Sequence, residues 1–128
     1  MSQFDPLHAC HYTEQVFRLF GKRWTGLIVD LLLQRPARFS ELRDALPELS
    51  NRVLSQRLAE LQDAGLVARD VDPGPAITVT YRLTANGEGL GPAMVALRVW
   101  AGAPTDADGN PVPLSALHDQ LVSGVPEN

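Results

Sequence analysis

The chain has 128 residues, is 45% hydrophobic and carries a formal charge of −4 at pH 7. That is enough for one compact core and too little for two ordinary domains. Its longest apolar run, residues 27–33, is interrupted by Asp30 and falls well short of the roughly 20 residues that span a bilayer. The first turns of sequence lack the basic start and apolar centre of a secretory signal, so the cytoplasm is the expected compartment and no membrane partner is expected. Cys10 is the single cysteine, so any cysteine chemistry is intermolecular or with a small molecule.

Thr13 is a predicted cap for a first short helix carrying Val16, Phe17, Leu19 and Phe20, and Gly21 is its predicted end. Residues 24–33 read as a second helix, with Trp24, Leu27, Ile28, Leu31 and Leu32 at helical spacing. Residues 39–46 read as a third, with Ser40 as cap and Pro47 as stop. Ser50 caps a fourth over 51–64, and Gly65 falls where a left-handed C-terminal residue is expected. Residues 66–71 read as a strand, 72–75 as a turn, and β-branched 77–83 as the returning strand. Thr84 caps a fifth helix to about residue 101, kinked or late-starting because it contains Gly87, Gly89, Gly91 and Pro92. Residues 103–113 are rich in Pro, Gly and Asp and read as loop, and 114–122 as a last short helix.

Two helices joined by a short turn and followed at once by a hairpin make a winged helix-turn-helix pattern, mainly α with a small β-hairpin wing. The expected organisation is an N-terminal arm over 1–12, the winged domain with its terminal helices over 13–102, and an acidic extension over 103–128. Residues 1–102 hold all 11 Lys and Arg and 11 of the 15 acids, so this body is neutral. Asp106, Asp108, Asp119 and Glu127 make the tail acidic. A polyanion senses the local field of one face and not the total charge.

The fourth helix decides which face that is. With Leu54 at the centre of its buried side, Leu58 and Leu61 fall within about 40° of it at about 100° per residue. Arg52, Ser55, Gln56 and Ala59 lie opposite, with Asn51 at the near edge. A guanidinium suits guanine, a carboxamide suits adenine and a hydroxyl suits either, while Ser50 starts a helix end whose free N–H groups favour a phosphate. Arg69 and Arg82 on the hairpin and Arg38 before the third helix are further phosphate candidates, as are Lys22 and Arg23. Arg57 sits about 60° from the core centre, as a DNA contact or as a partner for Glu60 or Glu41. Asp70 and Asp72 near the hairpin tip disfavour its insertion beside phosphates.

The string FGKRWT at 20–25 with Cys10 before it, RFSELRDALP at 38–47, SNRVLSQRLAELQDAGLV at 50–67, and YRLT at 81–84 with Gly87 after it together resemble the HxlR-type winged helix-turn-helix transcriptional regulators, a MarR-like group. The similarity covers about residues 10–102. It implies a homodimer packed through the first and last helices, an inverted-repeat operator in double-stranded DNA, and the fourth helix as the recognition helix. Excess apolar surface on the terminal helices (Val16, Phe17, Leu19, Phe20, Met94, Leu97, Val99, Trp100) points independently to dimerisation. Many relatives carry a cysteine near the position of Cys10, usually followed by proline, and some use it to sense oxidants or electrophiles. Here His11 follows, so Cys10 is a redox-sensing candidate with an incidental cysteine as the alternative. His8, Cys10 and His11 lack a clear fourth ligand beyond distant His118, and no metal or cofactor is expected. Trp24, Trp100 and Phe17 either line a pocket for a small-molecule effector or are plain core. The sequence contains no nucleophile–base pair, phosphate loop or metalloprotease spacing, so an enzyme is not expected. The alternative to DNA binding is a winged-helix protein-interaction module, favoured by the acidic tail and the neutral body.

Overall fold

The computed structural model describes residues 5–113 and 116. The elements run α1 (His11–Phe20), α2 (Thr25–Gln34), α3 (Phe39–Ala45), α4 (Asn51–Asp63), β1 (Val67–Asp72), β2 (Thr78–Leu83), α5 (Ala85–Glu88) and α6 (Gly91–Trp100). The predicted helix over 114–122 lies outside the described residues, apart from Ala116. Chain contacts define two compact units, with the boundary between Gly89 and Leu90.

In the first unit the core is built from α2, α3, α4 and the base of the hairpin. Ile28, Val29, Leu32, Leu42, Leu54, Leu58, Leu61, Val67 and Leu83 are buried, joined by Leu46 and Leu49 from the turn between α3 and α4. The leucines of α4 recur at helical spacing, so one stripe faces the core and the opposite stripe is left to solvent. In α2 the buried set is Thr25, Ile28, Val29 and Leu32, while Leu27 is exposed. Of the residues at helical spacing, Ile28 and Leu32 are buried, and Val29 takes an interior place where Leu27 does not. The segment is apolar nearly all round, so its periodicity did not choose a side. Trp24 is not helical either: it precedes α2 with φ of +82°, a left-handed conformation unusual for a bulky residue.

The helix ends explain the boundaries. Ser50 Oγ accepts the Val53 N–H at 3.2 Å, the cap expected of it. At the other end Gly65 takes φ of +75°, and the Leu66 N–H donates back to the Leu61 carbonyl at 3.0 Å. The cap of α3 differs from expectation. Ser40 lies inside the helix, and the Glu41 carboxylate instead accepts the Arg38 N–H at 3.0 Å. The first helix also begins earlier than Thr13, with Cys10 in the capping position.

The same Glu41 carboxylate accepts from the Arg35 guanidinium. That contact first, and the Arg38 N–H second, hold its carboxyl at about 2, below its ordinary 4.5. A carboxyl depressed in the folded state stabilises the fold above its unfolded pKa, and that contribution is lost as pH falls through the folded value. The stability advantage of the native chain over Glu41→Gln should therefore be full above pH 4.5 and shrink toward pH 2. Urea midpoints measured across that range test this, and a pH-independent difference would contradict it.

The strands pair antiparallel, from Val67 opposite Leu83 to Asp72 opposite Thr78. A third segment joins them, since Ala37 and Tyr81 exchange both backbone hydrogen bonds at 2.8 and 2.9 Å. Asp72 Oδ1 accepts the Gly74 N–H at 3.0 Å and starts the tight tip. Beyond β2, the Thr84 hydroxyl accepts from Gly87 N–H at 3.1 Å and donates to the Gly65 carbonyl at 2.6 Å. Gly87 is buried so close to Leu66 that an added Cβ would stand 2.2 Å from its carbonyl oxygen. The single fifth helix expected over 85–101 is two helices, with Pro92 in the first turn of α6. Proline lacks the N–H an uninterrupted helix would need there.

In the second unit α6 buries none of its residues. The loop that follows is ordered around Asp106, whose Oδ1 accepts the N–H groups of Asp108 and Asn110 at 2.9 Å each. Among the described residues no helix is long and apolar enough to cross a membrane.

Candidate nucleic-acid interface

Because its leucine stripe is buried, α4 presents Asn51, Arg52, Ser55, Gln56 and Ala59 to solvent, every one of them exposed. This is the outward face expected from periodicity. Ser50 stands at the N-terminal end of the same helix, where unpaired N–H groups and the helix dipole favour an anion.

The cations of the first unit separate into two sets. Arg18 pairs with Glu14, Lys22 and Arg57 with Glu60, Arg23 with Glu48, Arg35 with Glu41, Arg43 with Asp44, and Arg82 with Asp70. Among the described residues, Arg38, Arg52 and Arg69 have no carboxylate within ion-pairing distance. These three sit at the start of α3, on the outer face of α4 and on β1, the elements of a helix-turn-helix and its wing.

Four of the candidate cations are engaged within the chain: Arg57, Arg82, Lys22 and Arg23. Arg57 is turned in, with Nη1 3.0 Å from Glu60 Oε1 and Nε donating to the Arg23 carbonyl at 3.4 Å. It does not share the outward face of Arg52. The two wing arginines point to opposite sides of the hairpin, because Arg69 stands opposite Tyr81 whereas Arg82 stands opposite Ala68. Arg82 is also tied across the strands to Asp70 at 2.6 Å. Lys22 and Arg23 are engaged by carboxylates, and the Arg23 guanidinium stacks 4.4 Å from the Trp24 ring centre. Sequence periodicity did not find the Ala37–Tyr81 bridge that sets Arg38 beside the hairpin, since a one-residue bridge has no period.

Cys10 is exposed at the N-terminus of α1. The Thr13 backbone foremost, then the Thr13 hydroxyl and the Tyr12 backbone, are polar neighbours that favour the thiolate and lower the thiol pKa. It borders an open hollow of about 510 Å³ lined by Ala9, Thr13, Glu14, Phe17 and Arg18. Of the three aromatics considered for an effector pocket, Trp24 is half-buried while Phe17 and Trp100 are exposed. No group of three His, Cys, Asp or Glu set to hold a metal occurs among the described residues.

Comparison with known proteins decides the family. The HxlR-like helix-turn-helix family profile matches residues 19–108. The chain belongs to that family. Among HxlR-like relatives, the Bacillus subtilis HTH-type regulator YvaP is 45% identical over 92 residues, covering 72% of this chain and 85% of that protein. The transcriptional regulator YodB of the same organism is 38% identical, over 72% of this chain and 82% of YodB. The structure of reduced YodB superposes with a TM-score of 0.68 at 36% identity, over 77% of this chain and 100% of that one. YodB has also been solved diamide-treated and quinone-bound. Oxidised HypR, a redox regulator, matches with a TM-score of 0.67 at 28% identity, over 75% of this chain and 99% of that chain. This chain thus has a winged-helix fold with a two-stranded hairpin and is a DNA-binding transcriptional regulator of the helix-turn-helix type.

Proposed function

We propose that this chain is a cytoplasmic, non-enzymatic transcriptional regulator that reads an inverted repeat in duplex DNA as a homodimer. Its recognition helix is α4. The observation that carries this is the outward, unpaired polar edge of α4, with Arg52, Ser55 and Gln56 exposed above a buried leucine stripe. In this reading Arg52 and Gln56 read base edges, and Ser55 and Asn51 contact bases or phosphates. Ser50 with its helix end, Arg38 and Arg69 hold phosphates. Arg57 and Arg82 support the surface by their ion pairs with Glu60 and Asp70.

Dimerisation is supported by large apolar side chains left in water. Tyr12 and Phe17 on α1 are 77% and 65% exposed, and Trp100 on α6 is 86% exposed. Such a surface is costly unless a partner covers it. A twofold dimer sets two recognition helices about 34–36 Å apart, one turn of B-DNA. Selection of duplexes from a random pool tests the whole proposal. It should return an inverted repeat with half-sites about 10 bp apart between centres. Recovery of no preferred sequence, with binding that vanishes in moderate salt, would instead favour the protein-interaction module.

We further propose that Cys10 adjusts DNA binding on reaction with oxidants or electrophilic small molecules. Exposure and a lowered pKa supply the thiolate that such reactions need. YodB, captured with quinone and after diamide, and HypR, captured oxidised, indicate the chemical class of signal. The pH profile of Cys10 alkylation by iodoacetamide should have its midpoint below the ordinary thiol value, and Thr13→Val should move it up by removing one donor. A Thr13→Val midpoint equal to the native one would show that the hydroxyl does not tune the thiol.

A further inference from the structure

Glu60 occupies a flank of α4 that neither the core nor the outward face uses. Its two carboxylate oxygens are engaged by different parts of the chain. Oε1 accepts from Arg57 Nη1 at 3.0 Å, within α4 itself. Oε2 is shut off from solvent and lies 3.0 Å from the Lys22 ammonium, beyond the end of α1, as an ion pair and not an aligned hydrogen bond. Arg57 in turn donates through Nε to the Arg23 carbonyl at 3.4 Å. The side chains of Arg57 and Glu60 are only 18% and 24% exposed, so water screens this group less than a surface pair. The three-residue stretch it grips, Lys22 to Trp24, ends in the left-handed Trp24 that turns the chain from α1 into α2.

We propose that Glu60 is a positioning residue for DNA recognition: through Lys22 and Arg57 it clamps the flank of α4 to the α1–α2 junction and fixes the pose in which α4 meets the groove. The proposal rests on the reading of α4 as the recognition helix. It reassigns Lys22 and Arg57, cations that look like phosphate contacts in the sequence, to an internal role. The buried residues of α4 are Leu54, Leu58 and Leu61, on another side of the helix from Glu60, and α1 buries none of its own. A clamp made of charge and hydrogen bonds therefore adds a second hold on α4, on a flank that the leucine stripe does not occupy.

The test exploits a sign. Removing an acid from a DNA-binding helix lowers its repulsion with phosphates, so Glu60→Gln should bind duplex more tightly if Glu60 has no positioning role. The clamp requires the opposite, a loss of about tenfold in affinity for the selected operator and a smaller loss on random duplex. Lys22→Gln, a change at a more exposed site, should weaken operator binding in the same direction. It should leave the slope of log affinity against log salt unchanged, whereas loss of a phosphate contact lowers that slope by about one. Thermal melting of each variant checks folding, and if Glu60→Gln fails to fold, Lys22→Gln carries the test. Tighter or unchanged operator binding by a folded Glu60→Gln would overturn the proposal, as would a reduced salt slope for Lys22→Gln. Failure of native protein to prefer any duplex would instead remove the recognition-helix reading itself, a result visible before any variant is made.

Discussion

Arg52→Ala is expected to weaken binding to the preferred duplex by about 10- to 100-fold in each half-site, and to erase the preference at one base position. Arg52 is exposed on the outer face of α4 and, among the described residues, has no carboxylate within ion-pairing distance. Its guanidinium is therefore free to form a bidentate pair with guanine, worth about 1–3 kcal/mol of discrimination. Gln56, one turn further along the same stripe, should act on a different base with a similar magnitude, the carboxamide pairing with adenine. A twofold complex uses each residue twice, so the full-site effect exceeds the half-site one. Arg69→Ala is the internal comparison. As a phosphate contact it should reduce affinity for all sequences alike and lower the salt slope by about one. Fluorescence anisotropy on the selected duplex and its single-base variants measures all three. If Arg52→Ala and Gln56→Ala both keep the native affinity and the native ranking of bases, the outer face of α4 is not the reading surface.

Leu54→Ala is expected to cost about 2–5 kcal/mol of folding stability, measured by urea denaturation. Leu54 is fully buried, at the centre of the stripe that holds α4 to the core. Truncation removes its apolar contacts and leaves a void that the neighbouring Leu58 and Leu61 fill only in part. A domain of this size holds only about 5–15 kcal/mol in total, so the variant should lose much of its folded population and its operator binding together. Arg52→Ala, by contrast, should lose binding with its melting curve intact. That separation distinguishes the face that reads from the face that anchors. A Leu54→Ala chain with native stability would mean that the leucine stripe does not anchor the helix.

Residues with strong local chemistry were legible before any coordinates. Ser50 and Gly65 bound α4 as the hydroxyl of one and the missing Cβ of the other dictate, and the β-branched run before Leu83 pairs with 67–72. The one-sided leucines of α4 made its exposed set readable as well, because a 3.6-residue period with a single apolar stripe leaves one solution. Where that asymmetry was missing, the sequence was ambiguous. In α2, apolar on most sides, the choice of Val29 over Leu27 for the interior came from the shape of the surrounding core.

By itself, then, the sequence determined the order of elements from α1 to β2, the Ser50 cap and the Gly65 end of α4, and which side of α4 faces water. These are settled by interactions spanning a few residues, where side-chain type and spacing carry nearly all the information. Only the tertiary structure decided how charges are matched. Glu41 takes Arg35 instead of Arg57, Glu60 gathers Lys22 with Arg57, and Asp70 pairs with Arg82 on the face opposite Arg69. Ionic partners are chosen by distance in space, and the long flexible arms of arginine and lysine can reach several carboxylates until packing fixes the backbone that carries them.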